Sequence, residues 1–149
     1  VKPTLTLCAV GLLIGLWGCV SHPEIDLQGA WSGDWSSGQT TGTLDITFDG
    51  RSPFGDMKIY DVVLVIHGPT CPAGDDRATG DRSAAFKDDD VHIAVRFAGA
   101  APGTDENIYR FDGSLSGSHA IIGSYTMTSD SCPSCTCAIG ASGTWRAFR

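Results

Sequence analysis

Six cysteines and four histidines carry most of the potential chemistry in this 149-residue chain, and their spacing sorts them into groups. Cys132, Cys135 and Cys137 form a C-x-x-C-x-C cluster, with Cys71 far upstream. Thiolates at that spacing suit a soft or borderline metal ion. A full zinc motif brings two well-separated ligand pairs, and the chain shows only one cluster. In an oxidising compartment the same four cysteines read as two disulfides, with three possible connectivities. Pairing Cys135 with Cys137 would close a very tight ring. The expected pairing is therefore Cys71 with Cys135 or Cys137, and Cys132 with the remaining one. Redox catalysis through Cys132 and Cys135 would need a helix start to lower a thiol pKa, and no helical period is visible there.

None of His22, His67, His92 and His119 sits in a nucleophile motif. His92 falls on the polar side of an alternating stretch, where a solvated role is expected. Fifteen of the seventeen acidic residues are Asp, the turn-forming member of the pair, and Asp88-Asp89-Asp90 reads as a hairpin. Asp75, Asp76, Asp105, Glu106 and Asp130 lack the alternating ligands and closing Glu of an EF-hand loop. The expectation is a protein that is not an enzyme, with no catalytic residue, metal or cofactor.

Composition narrows the class further. Hydrophobic residues make up 42% and charged residues 18%, enough apolar content to build a packed core and too little charge for a disordered chain. The length fits one domain. Ten basic against seventeen acidic residues give a formal charge of −7, which disfavours nucleic acid as a partner.

The amino end differs from the rest. Eleven of the first eighteen residues are apolar, Lys2 is the only charge among them, and Leu5 to Trp17 is an uncharged run of thirteen. That length suits a secretory h-region and falls short of the ~20 residues that span a bilayer. The run closes on Leu16-Trp17-Gly18-Cys19, which resembles the lipobox of bacterial lipoproteins. The resemblance implies a signal peptide over 1–18, lipidation of Cys19, and a lipidated tether over 19–26 leading to a domain over 27–149. Trp17 departs from the small residue usual at its position, which bears on processing. The implied location is the cell envelope, lipid-anchored, with Val20 favouring the outer membrane, facing periplasm or surface. Without Lys2 the remaining chain carries nine basic and seventeen acidic residues, a formal charge of −8. Acyl chains, and not a basic patch, would supply the membrane contact.

Past the tether, alternation of period two recurs and no window sustains a 3.6 period. Leu44-Asp45-Ile46-Thr47-Phe48 and Val91-His92-Ile93-Ala94-Val95-Arg96-Phe97 each put apolar residues on one face. The domain reads as all-β, with strands near 28–36, 41–48, 56–66, 77–86, 91–98, 107–114, 120–128 and 140–148, and with Asp49-Gly50 as one of the turns. Eight short strands suit a single up-and-down antiparallel barrel; a β-sandwich is the alternative. Gly29-Ala30-Trp31 contains the Gly-x-Trp that opens lipocalin and avidin barrels, and Gly143-Thr144-Trp145-Arg146 has a similar look. The barrel therefore resembles this calycin group. Avidin's polar residues after the first Trp are not recognisable, so biotin is not implied.

In a meander, connections after odd strands share one rim and those after even strands share the other. The short turns and the amino terminus then lie at a near rim. The longer connections near 67–76, 99–106 and 129–139, with all four cysteines, lie at a distal rim, where binding is expected. The interior would be lined by Trp31, Trp35, Phe48, Phe97, Tyr109, Phe111, Tyr125 and Trp145, with Gly33 and Gly123 as places where the wall thins. Two functions follow. The main expectation is an interaction module that presents disulfide-pinned distal loops to an envelope or secreted protein. The alternative is a carrier of a small hydrophobic ligand inside the barrel.

Overall fold

Side chains in an extended chain point alternately to two faces, so the Leu-x-Ile-x-Phe and Val-x-Ile-x-Val-x-Phe runs each supply one wholly apolar face to bury. The computed structural model describes residues 25–68, 76–77, 79–98, 106–130 and 139–149. Its strand segments are β1 (Gly29–Ser37), β2 (Thr40–Phe54), β3 (Met57–His67), β4 (Asp76–Arg77), β5 (Thr79–Lys87), β6 (Asp90–Ala98), β7 (Glu106–Ser116), β8 (Ala120–Asp130) and β9 (Ser142–Phe148).

Apart from β4 and β5, which both pair with β3, successive strands pair antiparallel, and β9 pairs with β1, with Trp35 opposite Trp145, so the sheet closes on itself. β4 and β5 share one place in the wall: β4 pairs with Val65 and Ile66 of β3, and β5 with Lys58 to Asp61. The protein is therefore an all-β, closed, eight-stranded antiparallel barrel, not a sandwich. This architecture is consistent with the calycin or lipocalin-like group. Among the described residues closure leaves no strand at an open edge of the sheet.

One expected turn lies elsewhere. Asp49 pairs with Asp61 and Ser52 with Ile59, so β2 carries one extra residue at this point, and Gly50 has φ 56°. Asp-Gly supplies left-handed φ equally to a hairpin turn and to a bulge. Here it makes the bulge, and β2 runs on to Phe54 before turning at Gly55 and Asp56.

The barrel interior is one hydrophobic core. Leu44, Ile46 and Phe48 of β2 face inward with Val91, Ile93, Val95 and Phe97 of β6, all buried. Tyr60, Val62, Leu64 and Ile66 of β3 complete this wall. The near rim carries the β2–β3, β5–β6 and β7–β8 turns. At the distal rim β1 turns through Gly38 and Gln39, and β3, β6 and β8 end where the longer connections leave.

Ile25 to Gln28 stopper the near rim. Leu27 is fully buried, and its carbonyl accepts the Trp31 Nε1–H at 2.8 Å. The Leu27 N–H donates to the Tyr60 hydroxyl, which donates to Asp26 Oδ1 at 2.9 Å. Lys58 Nζ donates to the Ile25 carbonyl at 2.6 Å and Arg149 Nη1 to that of Asp26 at 2.8 Å. The Arg149 guanidinium also lies 4.8 Å from the Trp31 ring centre, a cation–π contact.

Candidate functional site

All eight expected lining residues point into the barrel and are at most 2% exposed. All but Trp35 fall into two ring clusters, the first of them shared with Tyr60. Toward the near rim Phe48 meets Trp31 and Tyr60 edge-on, with centroids 6.3 and 5.9 Å apart. On the other side of the barrel Phe111 sits 5.8 Å from Trp145 and 5.2 Å from Tyr125, while Tyr109 packs edge-on at 5.6 Å from Phe97. Offset and edge-on geometry is what ring quadrupoles favour.

Indoles and phenols also carry polar atoms, and burying them unpaired would cost free energy. Trp35 Nε1 donates to the His67 carbonyl at 3.1 Å. Trp145 Nε1 is shared between the carbonyls of Asp112 and Ser124, at 3.3 and 3.2 Å. The Tyr125 hydroxyl donates to the Ile139 carbonyl, drawing that buried residue against the interior. Burial raises the pKa of Tyr60 and of Tyr125, so both stay neutral at physiological pH.

Near the distal rim the lining changes character. Asn107, the second residue of β7, shares the inward row of Tyr109 and Phe111 and is 4% exposed, yet its Oδ1 has no hydrogen-bond partner among the described residues. In register it lies opposite Phe97 of β6 and Asp130 of β8. β8 bulges here: Ile108 pairs with Ser129 but Tyr109 with Met127, and the intervening Thr128 donates through Oγ1 to the Ile108 carbonyl. Met127 packs on the core from the inward row but is only partly buried. Ile25 at the near rim is likewise only partly buried, while the ring-bearing lining between them is closed to solvent.

Gly33 and Gly123 have a different role from the one expected. A Cβ on Gly123 would fall within the β7 backbone, 2.5 Å from Gly113 Cα, and one on Gly33 would fall 2.7 Å from Ala147 Cα of β9. These glycines let neighbouring strands approach closely, so they tighten the wall instead of opening it.

The outer wall holds the remaining titratable groups. An open groove of about 350 Å³ is lined by Asp90, His92, Asp112, Ser114, Ile122 and Ser124 among others. His92 pairs through Nδ1 with Asp112, whose Oδ1 also accepts from Arg110 Nε at 2.8 Å. Burial pulls the Asp112 pKa upward, but the bonds from Arg110 and His92 prevail and hold it below the ordinary value. Ser114 Oγ donates to Asp90 at 3.0 Å. His92 is exposed on the outer face, as the alternation predicts. His67, expected in a loop, instead ends β3 and pairs with Asp45 at 3.1 Å. Among the described residues no cluster of three His, Cys, Asp or Glu could hold a metal ion.

The disulfide-pinned interaction module is overturned. No disulfide occurs among the described residues, and Cys71, Cys132, Cys135 and Cys137 lie outside them, as do Cys19 and His22. What holds the described fold is a hydrogen-bonded ring of strands closed between β9 and β1, a shape that fits the ligand-carrier alternative better. Asn107 is the residue that sequence reading missed. Its parity with Tyr109 and Phe111 was the signal available. Comparison with family models, curated proteins and solved structures returns no match to this chain, so the reading of the site rests on its geometry.

Proposed function

We propose that this protein is a non-enzymatic carrier that holds one small, largely apolar molecule in its barrel, entered from the distal rim. The observation that carries the reading is the closed barrel with its apolar, aromatic lining, which holds near the distal rim a buried polar atom, Asn107 Oδ1, with no hydrogen-bond partner among the described residues. Small-molecule sites are concave, mainly apolar and aromatic, with a few placed polar groups. An eight-stranded barrel has room for one small ligand at most.

The location is part of the proposal. The leader over 1–18 directs export, Cys19 is lipidated, and the tether to residue 26 keeps the carrier at the envelope membrane, the outer one by preference. Such a protein would take up its guest close to a lipid surface. No nucleic acid is involved, in keeping with a formal charge of −7.

The test uses N-phenyl-1-naphthylamine, whose fluorescence rises on leaving water, titrated into protein purified without detergent. Saturation near one probe per barrel, with quenching of tryptophan emission, is the expected result. A linear, non-saturating response with no tryptophan quenching would overturn the carrier reading.

A further inference from the structure

The buried polar atoms of the interior divide unevenly. Trp31, Trp35 and Trp145 donate to backbone carbonyls, Tyr60 donates to Asp26 and Tyr125 to Ile139. At the distal end Asn107 Oδ1, 96% buried with its residue, receives no hydrogen bond from the described residues. Leaving a buried acceptor unpaired is costly, so such atoms are few in folded proteins, and each calls for a partner. Asn107 stands on a rigid strand, flanked in register by Phe97 and on its own inward row by Tyr109. Tyr109 in turn packs against Phe97 and Tyr125.

We infer that Asn107 Oδ1 is the recognition point for the guest, and that it selects a neutral ring-bearing molecule with a hydroxyl or N–H donor. The inference rests on the carrier reading and adds the chemical class of the ligand. A carbonyl oxygen accepts and cannot donate, so it attracts an O–H or N–H and repels a carboxylate. The described lining offers an anion no compensation. Lys58 is on the inward row but at the near rim, where its ammonium donates to Ile25. Around Asn107 the lining is aromatic: Phe97 lies opposite it in register, and Tyr109, next on its row, packs edge-on against Phe97 and Tyr125, surroundings that favour a flat apolar guest. A fatty-acid anion is therefore a poor guest, and an aromatic or polycyclic alcohol or amine a good one.

The preference is measurable with two matched probes. 1-Naphthol and 1-methoxynaphthalene share a ring system and differ in one donor. Their affinities are measured by tryptophan quenching for the wild-type protein and for Asn107→Leu, with circular dichroism to establish that the variant folds. The wild type should bind 1-naphthol about tenfold more tightly, the ratio expected for one hydrogen bond to an otherwise unpaired buried acceptor. Asn107→Leu should bring the ratio close to one by weakening 1-naphthol alone. If both probes bind and the wild type shows no preference, or if Asn107→Leu keeps the preference, the inference is wrong while the carrier reading stands. If neither probe binds the wild type, both fall. The wild-type ratio needs no variant, so a poorly folding Asn107→Leu does not protect the inference.

Discussion

Replacing Asn107 with leucine should stabilise the unliganded protein. The residue is 4% exposed and its Oδ1 unpaired, so the folded state bears the desolvation of an amide carbonyl without a returned hydrogen bond. That penalty is about 1–3 kcal/mol for a buried acceptor. Leucine has a similar branched outline and adds apolar contact with Phe97 and Tyr109, worth roughly 1 kcal/mol, against a repacking cost of the same order. The net gain is about 1–3 kcal/mol. For a domain of this size that raises Tm by about 3–12 °C. Urea unfolding of delipidated wild type and Asn107→Leu is the assay, and an unchanged m-value shows that the transitions are comparable. Adding 1-naphthol at a hundred times its Kd should raise the wild type by about 2.7 kcal/mol, and the variant by less at the same concentration. The reasoning is refuted if Asn107→Leu loses more than about 1 kcal/mol without ligand, since only a carbonyl already paired in the native state would be missed so strongly. A gain in stability coupled to a loss of binding is the signature of a functional residue that keeps the fold below its optimum.

Three further perturbations probe the scaffold. Gly123→Ala places a Cβ inside the β7 backbone at Asp112 and Gly113 and should cost about 3 kcal/mol or more by urea unfolding; a loss under about 1 kcal/mol would mean that β7 and β8 are not so closely apposed. Tyr125→Phe removes the donor to the Ile139 carbonyl and should cost about 1–3 kcal/mol in the same assay, whereas a neutral result would mean that this carbonyl reaches water. Asp26→Asn tests the near-rim stopper through pH. The Gln28 N–H, opposed by burial and helped by the Tyr60 hydroxyl, Arg51 and Lys58, holds the Asp26 pKa below its ordinary value. Its stabilisation is thus present above the unfolded pKa of about 3.9 and lost as pH falls through the lower folded value. The wild-type advantage over Asp26→Asn should shrink between about pH 5 and pH 2.5, from no more than about 1 kcal/mol for so exposed a carboxylate. An advantage that grows on acidification would refute the assignment.

Most of the wall was legible because its faces differ. Leu44, Ile46 and Phe48 alternate with Asp45 and Thr47, so only one face can be buried and a one-residue slip would expose it. β3 was legible as a strand but not as a face. Val62 to Ile66 are all aliphatic, and periodicity cannot tell that Val62, Leu64 and Ile66 face the interior while Val63 faces out. Asp49-Gly50 misled because a turn and a bulge need the same left-handed glycine. What separates them is the pairing of Ser52 with Ile59 and Phe54 with Met57, which is not local. Gly33 and Gly123 read as gaps because the sequence does not show which neighbouring backbone lies where their side chains would be. Asn107 was placed in a strand, but a lone polar residue at a strand's first turn of alternation is usually solvated. Only the wall around it makes it buried.

The outer wall and the interior place polar atoms by opposite rules. Outside, acidic side chains face cross-strand partners: Asp34 accepts from Arg146 Nε at 3.0 and 2.9 Å, Asp45 meets His67, Asp112 takes His92 as well as Arg110 of its own strand, and Asp90 accepts from Ser114. Each exposed pair contributes little stability, about 0–1 kcal/mol, but like charges set opposite one another after a slip would be penalised, so the ladder fixes register. The imidazole of His92 and the hydroxyl of Ser114 are bound into that ladder and do not face each other as a base and a nucleophile would. Inside, the indole N–H groups and the hydroxyls of Tyr60 and Tyr125 reach for fixed acceptors, which makes the lining rigid before any guest arrives. Against that background an acceptor with no partner among the described residues is a large asymmetry, because those indole and hydroxyl groups are already satisfied. A guest that supplies the missing donor recovers the desolvation already incurred on folding, whereas one that lacks it gains only apolar contact.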